Sequence, residues 1–209
     1  MKLHKVISTI LHPTVLPTVG AFLYFIFVAQ SLERRLQLIV LGLIFILTYI
    51  VPILLLFFLK NFGFIKDFQV STIKERRVPV IFMILILYFL GNTIIQIPMI
   101  RNLGILFYGT SLSLICIYLL FSTKLKSSLH LVSMGNMLGF FLIMTNVNNL
   151  SILFIIILLI FLSGILASSR LYLKAHTPIE LLIGFFFRIY ISISTIYFTT
   201  IDKKLSQFA

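Results

Sequence analysis

The chain has 209 residues, of which 60% are hydrophobic and only 11% charged, and its formal net charge is +12. That composition excludes a soluble globular domain and points to a polytopic membrane protein. Each crossing of a bilayer takes roughly 20 mostly apolar residues, so residues 1–209 read as a single integral membrane domain, and nucleic-acid binding is excluded for want of a soluble surface to present the cations.

In chain order, Lys2 and Lys5 precede the first apolar stretch. No small-x-small cleavage site follows, so this segment reads as a retained helix and not a signal peptide. Seven apolar segments succeed one another at about 13–30, 36–59, 78–99, 103–122, 129–146, 150–168 and 178–198, each bounded by charge, Asn or Pro. The predicted fold class is therefore all-α, a polytopic transmembrane helix bundle of six to seven spans. Connections are short except from Lys60 to Arg77, a polar loop holding Lys60, Lys66, Asp67, Lys74, Glu75, Arg76 and Arg77. This loop is placed to cover whatever site lies at its face. Cys116, the only cysteine, lies in the fourth span and reads as a small packing residue.

Within the spans, Asn92, Gln96 and Asn136 are expected to bridge helices by hydrogen bonds, and Gly135, Gly139, Gly164 and Gly184 to allow close helix packing. His12, before Pro13, reads as a lone interfacial structural residue outside any site. Arg188 lies inside the last span, two i,i+4 steps beyond Glu180. It has three open roles: pairing with Glu180, binding a partner subunit, or snorkelling.

Polar residues cluster three times: at Lys74 to Arg77, at Lys124, Lys126, Ser128 and His130, and at Arg170, Lys174, His176 and Glu180. Two spans separate each cluster from the next, so all three are predicted to meet at one membrane face. Several cations, a hydroxyl, two imidazoles and few acids suit a phosphate or pyrophosphate on a lipid. They suit a carboxylate-rich metal site poorly, and a Cys/His zinc site lacks its ligands. The plain alternative is that cations at span ends pair with lipid headgroups or snorkel. Cations outnumber those of the opposite face there. If the cluster cations serve a ligand, however, the remaining bias vanishes and orientation stays open. Thr177-Pro178-Ile179-Glu180 has the form of a capping box and places a helix start just after His176. A phosphate beside His176 would then face a helix N-terminus. Glu180 either caps that helix or orients His176, and one carboxylate is not expected to do both in full.

These residues resemble the type 2 phosphatidic acid phosphatase superfamily of membrane lipid phosphatases, most like its short bacterial members. The family's third motif is Ser-Arg, five residues, His, three residues, Asp; Ser169-Arg170, His176 and Glu180 keep that spacing with Glu for Asp. The second motif, Pro-Ser-Gly-His, becomes Ser127-Ser128-Leu129-His130. The first, Lys, six residues, Arg-Pro, survives only in character as Lys74-Glu75-Arg76-Arg77-Val78-Pro79. The resemblance covers roughly residues 60 to 190.

The resemblance implies a cofactor-free phosphatase in which His176 attacks phosphorus to form a phosphohistidine, Glu180 holds its other ring nitrogen, and His130 protonates the leaving group. Arg170, Ser128 and some of Lys74, Arg76 and Arg77 would bind the phosphoryl oxygens. The implied substrate is a lipid mono- or diphosphate, and the implied location is the bacterial cytoplasmic membrane. Loss of residues from the first and second motifs points to the alternative, a catalytically silent relative acting as an anionic-lipid-binding or structural subunit beside partner membrane subunits. A transporter or channel is a weaker third reading, since too few intramembrane charges are present to outline a pathway.

Overall fold

Twenty-residue runs of Leu, Ile, Phe and Val have one way to satisfy their backbone in hydrocarbon without edges, which is to coil into helices. The computed structural model, which describes residues 2–68, 70, 72–123, 128–148 and 151–205, is all-helical, with no strand among the described residues. Six helices are long and apolar enough to cross a membrane: Arg34–Asn61, Ile73–Ile95, Pro98–Leu120, Leu129–Asn146, Leu153–Tyr172 and Pro178–Thr195. With two shorter N-terminal helices the elements are α1 (Lys2–Ile10), α2 (Leu16–Phe27), α3 (Arg34–Asn61), α4 (Ile73–Ile95), α5 (Arg101–Leu120), α6 (Leu129–Asn148), α7 (Leu153–Tyr172) and α8 (Pro178–Leu205). Large apolar side chains such as Phe22, Leu38, Phe57, Phe89, Phe154, Phe161 and Phe186 are exposed on the outward faces. That belt is untenable in water, and the protein is an integral membrane protein.

The first predicted span departs from expectation. Pro13 disfavours helix at the residue before it, and the chain turns at His12, whose carbonyl accepts from Val15 and Leu16; Pro17 then sits in the first turn of α2, where its missing N–H costs nothing. Helix α2 then runs for only 12 residues, about 18 Å against a hydrocarbon thickness of about 30 Å. The segment ahead of it is a separate amphipathic helix, α1, which packs on α7. In α3 a π turn at Ile46–Ile50 carries the Val51 N–H to the Ile46 carbonyl and so accommodates Pro52, which has no N–H to give.

Packing follows the small residues. Cβ atoms added at Gly91 and Gly104 would meet the facing helix backbone at 3.0 Å and 2.7 Å, so α4 and α5 approach along their backbones. Gly135 and Gly139 do the same for α6 and α8, where a Cβ would meet the Phe185 carbonyl at 2.5 Å and the Ser192 Cβ at 2.9 Å. Gly164 faces open space and has no such role. The core between the helices is filled by Tyr24, Leu90, Ile100, Leu103, Met134, Phe140 and Phe141. Tyr24 and Phe140 place their rings 5.5 Å apart.

Candidate functional site

Counting crossings predicts that the polar clusters meet, and Arg76, His130, Arg170, Lys174 and His176, drawn from all three, do. A cavity of about 860 Å³ opens between α1, α2, α3, α4, α5, α6, the end of α7 and the turn that follows it. Its mouth carries Lys5, Arg76, Arg170 and Lys174 together with His12, His130 and His176, and among the described residues no Asp or Glu lines it. Its body, at the depth of the spans, is apolar, with Leu55, Pro79, Met83, Phe107, Met137 and Phe140 among its walls. Phe68 and Val70 of the polar loop close one side, as its position predicts.

The third cluster is held by two helix ends. Helix α7 stops in a Schellman turn: the Ala175 N–H donates to the Arg170 carbonyl at 3.1 Å and the Lys174 N–H to the Leu171 carbonyl at 2.9 Å. Lys174 takes the left-handed position, at φ 51°, where a glycine would be unstrained. Helix α8 then starts at Pro178 in the predicted capping box. Thr177 Oγ1 accepts from the Glu180 N–H at 3.4 Å, and Glu180 Oε2 accepts from the Thr177 N–H at 3.0 Å. The same oxygen lies 3.1 Å from His176 Nδ1. Glu180 therefore combines the two roles that sequence reasoning set against each other. The extra methylene of Glu lets one oxygen lie between the backbone N–H and the ring. His176 is buried, and its pKa is lowered first by that burial, then by the Arg76 guanidinium, with Arg170 adding; the Glu180 hydrogen bond and charge oppose the shift. Burial favours the neutral ring, whose Nδ1–H is directed to Glu180.

Arg76 is delivered by a second capping box, unnoticed in the sequence, in which Thr72 and Glu75 exchange hydrogen bonds at the start of α4. Its Nε donates to the Val70 carbonyl at 2.9 Å. Lys74 and Arg77, on other faces of the same turn, are exposed and do not line the cavity. Helical geometry separates residues that sequence proximity had grouped. Ser128 is fully buried with an unpartnered hydroxyl and lies outside the cavity lining. Lys124, Lys126 and Ser127 lie outside the described residues.

Helix α1 supplies what the sequence reading missed. Ser8 Oγ accepts from Arg170 Nη1 at 2.8 Å. His130 Nε2 lies 3.2 Å from the Ser8 carbonyl and 3.4 Å from its hydroxyl. Since a carbonyl only accepts, His130 carries its proton on Nε2. His4 reaches Ser169 Oγ at 3.3 Å and stacks on Tyr172. His12, which sequence reasoning set aside, packs its ring edge-on to His130 with centroids 5.2 Å apart. Burial, then the Arg170 charge, lowers the His12 pKa. The available signal was the 3.6-residue period of Leu3, Val6, Ile7 and Ile10, which leaves His4, Ser8 and Lys5 off the apolar stripe.

Arg188 fits none of the three roles its sequence position offers. It is 1% exposed, so it neither snorkels nor meets a partner, and it is not paired with Glu180. Its guanidinium donates to the Gly109 carbonyl, Ser113 Oγ, Thr110 Oγ1 and Asn136 Oδ1. Asn136 does bridge helices as expected, donating from Nδ2 to Thr110 at 3.0 Å.

Among the described residues, no three His, Cys, Asp or Glu side chains gather as a metal ion would require. Comparison with known proteins finds no match to a family model, to a curated protein or to a solved structure.

Proposed function

We propose that this protein is a lipid phosphate phosphatase of the type 2 phosphatidic acid phosphatase kind, working through a phosphohistidine at His176 in a bacterial cytoplasmic membrane. The observation that carries the reading is the cavity's polarity: a mouth of four permanent cations and three imidazoles above an apolar body. A phosphate with a hydrocarbon tail matches both halves, whereas a soluble anion matches only the mouth.

In this reading Arg76 and Arg170 hold the phosphoryl oxygens and Lys5 and Lys174 add positive field as charge spreads over them. With His130 entering as the imidazolium, protonated on both ring nitrogens beside the bound phosphate dianion, His176 Nε2 attacks phosphorus, the bond from phosphorus to the lipid oxygen breaks, and the departing alkoxide or phosphate takes the His130 Nε2 proton in place of the Ser8 carbonyl, leaving a neutral ring. Glu180 stabilises the positive charge left on the His176 ring. Water then attacks phosphorus, gives its proton to His130, and the N–P bond breaks to release phosphate and restore both rings.

One observation favours a silent, anionic-lipid-binding or structural subunit instead: Ser8 already occupies both Arg170 and His130. Phosphate release from a panel of lipid mono- and diphosphates, with glycerol phosphate as the tailless control, separates the two. Turnover confined to the tailed substrates supports the phosphatase. No release by folded protein supports the silent subunit.

A further inference from the structure

The site chemistry leaves Arg188 unused, although a buried guanidinium among membrane spans is costly and marks function by default. Among the described residues its hydrogen-bond partners are neutral, and its Nε has no partner. Two of those partners, Thr110 and Asn136, line the deep part of the cavity. Gly135 makes this possible, since any side chain there would push against the Phe185 carbonyl and Arg188 Cβ and move the guanidinium away from α5.

Counting donors shows what the floor offers. Thr110 is saturated, for it donates to the Leu106 carbonyl and accepts from both Arg188 and Asn136. Asn136 Oδ1 is taken by Arg188 and one Nδ2–H by Thr110. Its second amide N–H remains, on a half-buried residue at the cavity wall, with a guanidinium charge behind it. Arg188 also fixes which way the amide points: the oxygen faces the guanidinium, so the nitrogen is the end left for a ligand. Asn136 follows His130 by six residues on α6, about 9 Å deeper in the membrane at roughly 1.5 Å per residue.

We propose that Asn136, positioned by Arg188, is a specificity-determining donor at the cavity floor that bonds an oxygen in the tail region of the ligand, of the ester or amide carbonyl kind. A lipid phosphate carries such an oxygen only if its chains are acyl; an isoprenoid or ether chain presents hydrocarbon or a weaker acceptor and leaves the N–H unsatisfied, which is costly when buried. The site therefore favours acyl lipid phosphates over chains without carbonyls. This deepens the lipid phosphate reading and rests on it.

The test compares dihexanoyl glycerol phosphate with its dihexyl ether analogue, which differ in two carbonyl oxygens, by calorimetric binding to the full-length protein in detergent. Wild type is expected to bind the ester about tenfold more tightly, the worth of one buried hydrogen bond. Asn136→Asp keeps an acceptor for Arg188 but has no N–H to give, and is expected to fold and to lose the preference while still binding the ether. Asn136→Ser serves as a second, uncharged variant with the same expected loss. Equal binding of ester and ether by wild type, or a preference that survives in either variant, overturns the inference while leaving the lipid phosphate reading intact. Failure of wild type to bind either lipid defeats that reading itself.

Discussion

Gly135→Ala tests the packing on which the cavity floor depends. A Cβ at position 135 would stand 2.5 Å from the Phe185 carbonyl oxygen and 3.3 Å from Arg188 Cβ. Carbon and oxygen need more than 3 Å, so α8 has to retreat by over half an ångström along a backbone contact that no rotamer change can relieve. Overpacking of this kind costs about 1–3 kcal/mol. Against it stands the gain from replacing a helical glycine, at most about 1 kcal/mol. Gly164→Ala isolates that gain, because a Cβ there meets nothing within 4 Å. The structure therefore predicts that Gly164→Ala is neutral or slightly stabilised, and that Gly135→Ala is destabilised by about 1–3 kcal/mol relative to it, since the glycine gain is common to both. Thermal unfolding of the two variants in the same detergent measures the difference. Equal stabilities would refute the close α6–α8 contact and the placement of Arg188 built on it.

Three further outcomes follow from the site. Arg76→Gln is expected to lower phosphate release by about 100-fold or more, as loss of one oxyanion partner does, while Arg77→Gln on the exposed face stays within about twofold; equal losses in steady-state assays would contradict the divided turn. Glu180→Gln keeps an oxygen for the Thr177 N–H but loses the charge beside His176, so its melting temperature should hold while turnover falls, whereas Glu180→Ala should lose both, the cap contributing about 1 kcal/mol. Equal melting temperatures for the two variants would remove the shared role of that carboxylate. The third outcome concerns pH. His12 and His176 have folded pKa values below the ordinary imidazole value, so the unfolded chain binds more protons and stability rises with pH up to about 6.5. Melting temperature should fall as pH drops below that value, and His12→Gln should shallow the fall; an unchanged slope in that variant would argue against a neutral, half-buried His12.

The sequence made the helices legible wherever hydrophobicity alone decides them, as in the six apolar segments that reappear as α3 to α8. The meeting of Arg76, His130, Arg170 and His176 was legible too, because helices of membrane-spanning length alternate faces and only crossings need counting. Residues 2–10 escaped because their period is amphipathic and their length is below a span, so nothing marked them as part of a membrane site. His12 escaped with them: its partner His130 is more than a hundred residues away, and α1 packing on α7 brings the two together. Lys74 and Arg77 were grouped with Arg76 by proximity, whereas burial depends on the angle each takes around α4. The Glu180 roles looked exclusive because a formula of one bond per side chain ignores that a carboxylate oxygen has two lone pairs.

The most direct measurement is phosphate release from a lipid phosphate panel, with EDTA present, by wild type and His176→Ala shown to be equally folded. Turnover that survives chelation in wild type and vanishes in the variant is the predicted result. Release that persists in His176→Ala, or no release by folded wild type from any lipid phosphate, would contradict the phosphohistidine account.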